Sequence, residues 1–265
     1  MDSPAAGTLR ALYRHPVKGF TPEPLSEVAL APDAGFPFDR VWAVENGPSG
    51  FDPEAPAFVP KQRFTVLAAI PRVAAAATRY DEATGMLHAQ AEGLAPFTGP
   101  LDAAAGRAAF AAWLGELLGE EAKGPLKVVA APSQHRFTDH PQGQVSLINL
   151  ASVRDLSARM GAELDPLRFR ANLYVDGWPA WVENDWAGGV FRLGEVTATM
   201  LKPIVRCAAT HVNPRTAERD LEVTKALFDH FGHLHCGVYL NVSSQGRVAL
   251  GDACMGPATG KERTP

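Results

Sequence analysis

Short apolar segments separated by Pro- and Gly-rich breaks dominate the chain. Residues 9–13, 25–30, 40–45 and 63–69 are rich in Val, Leu, Trp, Tyr and other strand formers, and read as strands. Between them lie Pro16-Val17-Lys18-Gly19, Pro32-Asp33-Ala34-Gly35 and the loop 46–60, and a further breaker cluster spans 91–100. Helical spacing replaces this pattern in three places. Across 103–118, Phe110, Trp113, Leu114, Leu117 and Leu118 recur at i, i+3, i+4, i+7 and i+8, with Gly119 as a stop. A second helix is predicted over 150–160, capped by Asn149, buried through Val153, Leu156 and Met160, and ended by Gly161. A third is predicted over 221–231, capped by Asp220 and closed by Gly232, with Val223, Leu227 and Phe231 at helical intervals. A strand at 126–131 and a polar loop at 132–144 follow the first helix. Beyond them the pattern predicts strands at 145–148, 172–175, 180–182, 190–192, 196–201, 238–242 and 247–250. No internal repeat of roughly 20–50 residues is visible, which excludes solenoids and propellers.

The expected fold is mainly β with some α: two β-barrel-like domains, 7–130 and 131–256, decorated by a few helices, with a loose tail at 257–265. The 265 residues suffice for one large core or two modest ones. Charge changes the picture only by exclusion. Twenty-five Lys and Arg against 29 Asp and Glu leave a formal charge of −4 with no basic block, so no nucleic-acid partner is indicated. No apolar run approaches the ~18–20 residues of a membrane helix, and the first ten residues lack a secretory h-region. The three cysteines are an odd number for a disulfide framework. The expectation is a cytoplasmic protein with no membrane partner.

Cys207 ends a β-rich run broken by Pro203 and follows Arg206. An electropositive neighbour favours thiolate, which is both a nucleophile and a soft metal ligand. The competing reading is a small buried hydrophobe, against which stands the polar loop of Thr210, Asn213, Pro214 and Thr216 that follows. Cys236 alternates with Val238, Leu240 and Val242 and reads as core on their face; Cys254 is assigned no role. His230, His233, His235 and Cys236 crowd together, yet their spacing matches no paired Cys/His zinc pattern. Lys18, Arg40 and Arg170 each lie at a strand–loop junction, where a side chain can reach a shared cleft; spacing alone leaves open whether they converge. Neither GxxxxGK[ST] nor GxGxxG occurs, so the ordinary nucleotide cradles are absent.

Several of these stretches, taken in order, resemble the MOSC proteins, in the form with an N-terminal MOSC β-barrel followed by the MOSC domain proper. They are His15-Pro-Val-Lys-Gly19, Phe38-Asp-Arg-Val-Trp42, the 145–156 strand–helix segment and Arg168-Phe-Arg-Ala-Asn172, followed by Trp186 and Leu193-Gly194-Glu195. Arg206-Cys207 with Thr210 and Asn213-Pro-Arg-Thr216, and then Gly251-Asp252, complete the set. The resemblance implies that Cys207 ligates molybdenum beside the pterin dithiolene of the molybdenum–molybdopterin cofactor. It implies that Lys18, Gly19, Arg40 and Arg170 contact the pterin and its phosphate. The loop around Gly143 and the segment with Arg206 would line the cofactor, with Asn172 and Thr210 in supporting positions. Gly19 stands where the amidoxime-reducing members commonly carry serine, so one hydroxyl contact is lost. No Cys-rich ferredoxin-like stretch is present, so electrons would come from a separate electron-transfer protein.

The activity implied is reduction of small N-hydroxylated or N-oxygenated compounds, in a site between the two halves. The alternative is a sulfur carrier or cofactor-binding protein in which Cys207 holds a persulfide or a ligand without turnover. An unrelated β-rich hydrolase is disfavoured, because no Ser/His/Asp order stands in an elbow setting.

Overall fold

Seven strands close on one another into a barrel, and the first strand of the chain is one of its staves. A computed structural model describes residues 5–132, 135–141 and 145–257. Its strands are β1 (Ala6–Arg14), β2 (Glu23–Leu25), β3 (Glu27–Leu30), β4 (Trp42–Asn46), β5 (Ala77–Asp81), β6 (Met86–Gln90), β7 (Phe97–Pro100) and β8 (Leu126–Ala130). Then come β9 (Val145–Asn149), β10 (Leu173–Asp176), β11 (Val190–Leu193), β12 (Val196–Val205), β13 (His235–Val242), β14 (Gly246–Ala249) and β15 (Ala253–Met255). The α-helices are α1 (Ala104–Leu118), α2 (Leu150–Met160) and α3 (Val223–Phe231).

The barrel runs β10-β9-β13-β12-β11-β15-β1 and returns to β10. Its interior is apolar, filled by Leu9, Leu12, Leu147, Val175, Val238 and Leu240 among others. Leu9 and Leu12 are three residues apart, a spacing that strict alternation would send to opposite faces. The register against β10 slips between Leu9 and Ala11, and this bulge turns both leucines inward.

The first half of the chain is built differently. Here β8 is the one strand laddered to β4 among the described residues, and β5, β6 and β7 form a three-stranded sheet. Phe110, Trp113, Leu114, Leu117 and Leu118 of α1 pack into a second core with Val44 and Leu87. The expectation of two barrel-like units is therefore met in part: among the described residues one closed barrel is present, beside smaller sheets. The physical reason is that β1 is recruited across the chain. The far side of β4 is filled by the isolated bridges Val17–Trp42 and Glu45–Phe64 rather than by a further strand.

Several local readings need correction. Residues 63–69 are not a strand but the end of a 3-10 turn, an isolated bridge at Phe64 and a turn at 67–69, with Phe64 to Leu67 all buried and Thr65 N–H donating to Val44 O. Residues 180–182 lead into a 3-10 turn at Val182–Asp185 rather than a strand. The breaker cluster at 91–100 ends in the strand β7. Helix α2 has the expected caps, with Asn149 Oδ1 accepting from Ala151 N–H and Gly161 left-handed. Helix α3 begins at Val223, later than expected, because the Asp220 carboxylate is taken by Arg168 and Asn213. Of the expected tail only Pro257 lies within the described residues.

Candidate functional site

The turn at Pro16-Val17-Lys18-Gly19 is pinned by Lys18 N–H donating to Trp42 O at 2.8 Å. It buries the Lys18 side chain, whose Nζ donates to Phe137 O at 2.8 Å and pairs with the Asp139 carboxylate at 2.5 Å. Gly19 has φ of +91° and its Cα faces the Thr65 carbonyl, where an added Cβ would come within 2.8 Å of the oxygen. Only glycine meets both demands.

Arg40 and Arg170 also sit at positive φ, 52° each, which costs a residue with a side chain roughly 1–3 kcal/mol. Hydrogen bonds hold them there. Arg40 N–H donates to His15 O at 2.7 Å, and Arg170 N–H donates to Leu167 O at 3.1 Å. The two are tied together, since Arg40 Nη2 donates to Arg170 O at 2.9 Å; Arg170 Nη2 donates to Phe20 O at 2.7 Å. Behind Arg40 lies Asp39, which pairs with its guanidinium and accepts from His15. Burial and then the neighbouring Arg40 bring Arg170 down to about 10, whereas Asp39 and Asp139 raise Arg40 despite its burial.

Cys207 follows β12 and leads a 3-10 turn at Ala208–His211. Its carbonyl accepts from Thr210 N–H at 3.0 Å and Thr210 Oγ1 at 2.9 Å, which fixes the turn without using the sulfur. The half-buried Sγ lies 3.2 Å from Lys61 Nζ. Burial opposes the Lys61 charge, but the Asp139 carboxylate and the Cys207 sulfur outweigh it and raise that ammonium above its usual range. Arg206 donates from Nε to Cys236 O at 2.7 Å and from Nη1 to Phe169 O at 2.9 Å, with its guanidinium 5.1 Å over the Phe169 ring. Its Nη2 is buried without a hydrogen-bond partner among the described residues. Asn172 Oδ1 accepts from Ser146 N–H and Oγ, tying β9 to the segment before β10.

All of these surround one cleft of about 230 Å³, into which both halves of the chain project. Lys18, Gly19, Arg40, Arg170, Asn172, Arg206, Cys207 and Thr210 line it together. Gly143 lies outside the described residues. Among the charged lining residues, Lys61, Asp139, Arg168 and Lys202 were not singled out from the sequence. Lys61 and Asp139 stand on irregular segments, where no periodicity marks a side chain as inward. Arg168 is two residues before Arg170 in the motif already quoted, and that adjacency was the available signal. One wall is apolar, from Val66, Leu67, Ala68 and Ile204.

Cys236 is fully buried, and burial pushes its thiol up to about 12. It does not share a face with Val238, Leu240 and Val242, however. Those three point into the barrel, whereas Cys236 packs outside it with Ile148, Leu156 and Leu227 beneath α2 and α3. Gly237 breaks the alternation with φ of +75°. A Cβ at Gly237 would come within 2.4 Å of Leu147 O and 3.2 Å of Arg206 Nη2. Gly237→Ala is therefore expected to cost about 2 kcal/mol or more, read as a lower urea midpoint, and to shift Arg206; an unchanged midpoint would show that the strand relaxes freely. At the histidine cluster, the His233 and His235 rings stack at 5.1 Å, and among the described residues no three His, Cys, Asp or Glu side chains converge on a metal position.

A family described as the MOSC N-terminal beta barrel domain matches residues 6–123, and one described as the MOSC domain matches residues 134–255. The chain belongs to the MOSC proteins. MOSC proteins are linked to handling of the molybdenum cofactor. The molybdenum cofactor sulfurase of Drosophila mojavensis is 30% identical to this MOSC protein over 137 residues, 49% of this chain and 17% of that protein. That of Drosophila pseudoobscura pseudoobscura is 28% identical over 159 residues, 55% of this chain and 20% of that protein. The chain thus spans a fifth or less of the length of these curated relatives. The crystal structure of the YUAD protein from Bacillus subtilis shares the fold, with a TM-score of 0.50 at 12% identity over 98% of this chain and 100% of that one. Among the described residues of this MOSC protein, no helix is long and apolar enough to cross a membrane.

Proposed function

We propose that this chain is a molybdenum-cofactor oxidoreductase that reduces small N-hydroxylated or otherwise N-oxygenated compounds, with electrons delivered by a separate protein in the cytoplasm. One observation carries the reading: a lone half-exposed cysteine sulfur opens into the same cleft as buried cations drawn from distant parts of the chain. The residues fit the group. A pterin dithiolene brings its own sulfur ligands, so the protein needs to add one soft donor rather than a converging set. The buried Nη2 of Arg206 is a donor left without an acceptor among the described residues, and Arg170, buried beside Arg40, is suited to an anion.

When bound, the cofactor supplies a metal that cycles between oxidation states and takes up the oxygen of an N–O bond. The chain does the rest. Cys207 holds the metal through sulfur. Lys18, Arg40 and Arg170 neutralise the phosphate, with Arg170 and Arg40 suited to forked contacts and Lys18 to a point charge. Arg206 and Asn172 fix the pterin's place. The Lys61 ammonium keeps a proton within reach of the reacting end, and the wall of Val66, Leu67 and Ile204 limits water there.

The second reading, a sulfur carrier with a persulfide on Cys207, is favoured by the exposure of that sulfur. Elemental analysis separates the two. Protein made in a cofactor-competent host is expected to carry near-stoichiometric molybdenum, with retention weakened in Lys18→Ala and Arg170→Ala. Molybdenum-free protein bearing a labile sulfur on Cys207 would establish the carrier instead.

A further inference from the structure

We propose that Asp139 is a specificity-determining residue: its carboxylate sits on Lys18 and Lys61 as a resident counter-anion that keeps small inorganic oxyanions out of the cleft and yields to a larger anionic ligand. The proposal rests on the phosphate-binding part of the reading above.

The Asp139 carboxylate bridges Lys18 Nζ at 2.5 Å and Lys61 Nζ at 3.2 Å, two cations from separate turns. It is the one carboxylate among the described residues that line the cleft. Its side chain is 41% exposed while that of Lys18 is 4% exposed, so the acid has a route to solvent and the base does not. The segment is anchored two residues earlier. Phe137 is buried against Phe51 and Phe64, its N–H donates to Arg40 O at 2.9 Å, and its carbonyl accepts from Lys18. Asp139 can therefore swing away while Lys18 keeps one hydrogen bond and its position.

An incoming anion competes with this carboxylate, and its apparent affinity falls by the fraction of time the seat is filled. A bare phosphate gains only the two lysines and pays for the displacement. A ligand that also reaches Arg170, Arg206 and Asn172 has further contacts to offset the loss. Discrimination then comes from a penalty on the wrong ligand as much as from attraction of the right one.

The test uses cofactor-free full-length protein titrated calorimetrically with inorganic phosphate and with pyrophosphate at fixed ionic strength. Asp139→Asn is expected to bind both at least tenfold more tightly than the wild type, and Asp139→Glu to stay as weak as the wild type. Phosphate should also raise the thermal midpoint of Asp139→Asn more than that of the wild type, since it replaces the anion missing beside buried Lys18. Asp139→Ser gives the same readouts should the asparagine variant fail to fold. Equal or weaker anion binding after loss of the carboxylate overturns the proposal, as does a glutamate variant that binds as tightly as the asparagine one. Molybdenum in the wild type with unchanged titrations sinks this inference alone. Tighter anion binding in the variant, together with a wild type that acquires no molybdenum in a cofactor-competent host, sinks the redox reading alone.

Discussion

Cys207→Ala lowers turnover of an N-hydroxylated substrate by about a thousandfold or more, while the urea midpoint moves by no more than about 0.5 kcal/mol of stability. The two halves of this expectation have separate causes. Turnover falls because the proposed metal ligand is gone and no other thiol is near enough in character to replace it: Cys236 and Cys254 are buried, with thiols pushed up to about 12 by burial. Stability holds because the sulfur is not part of the packing. Cys207 belongs to none of the apolar clusters, and the bonds that shape its turn run from its carbonyl to Thr210, which alanine preserves. Molybdenum per chain, kcat and the unfolding midpoint measured on the same preparation check it. Full turnover by the variant with molybdenum still bound would remove Cys207 from the chemistry.

Stability is expected to fall by about 1.4 kcal/mol per pH unit as the pH drops below about 6.5, and His15→Gln should remove that slope. His15 is wholly buried, and its ring pKa is pushed down to about 3, first by burial and then by Arg170 and Arg40, against the pull of Asp39. The folded protein thus keeps the imidazole neutral, with Nδ1 donating to Asp39. The unfolded chain takes up a proton near pH 6.5. Between pH 6.5 and about 3 the unfolded state binds one more proton than the folded state, so acid favours unfolding across that window. The whole effect amounts to about 5 kcal/mol, as an order of magnitude. Asp39, held below the usual carboxylate range by Arg40 and His15 despite its burial, adds a loss of the same sign once the pH falls below its ordinary value. Urea unfolding at pH 7, 6, 5 and 4 checks the window; parallel wild-type and His15→Gln curves would show that another group sets the acid limit.

The parts legible in the sequence are those where one short pattern settles a local choice. Helix α2 is an example: Asn149, the Val153–Leu156 spacing and Gly161 each specify one feature, and all agree. The cleft is legible in a coarser way. Lys18, Arg40 and Arg170 stand beside turn signals, and residues just outside regular elements are those a fold can gather. Their left-handed backbones are not legible, because nothing in the local composition marks Arg40 or Arg170 as tolerating positive φ.

The misses are long-range. Phe64 to Leu67 form a buried apolar run, which looks like a core strand until Thr65 spends its N–H on β4 and no ladder continues. The hairpin of β5 and β6 carries alternation, with Thr78, Tyr80, Leu87 and Ala89 buried, yet its interrupting charges mask it. Cys236 shows the limit of period-two reasoning, since a single left-handed glycine next door moves it to the other side of the sheet. Lys61 faces both the sulfur and Asp139, and the two stand on segments with no period at all.

The stave formed by β1 has a consequence for how the chain is made. Within the barrel its partners are β10 and β15, where Ala6 pairs with Met255, so the ring is complete only after residues 253–255 have been synthesised. Until then β1 has beside it only the short strand β2 and, once residues 173–176 are made, β10, and the edge that takes β15 stays open. Such a long-range closure slows the final step of folding and leaves that strand edge open to wrong partners until it is made.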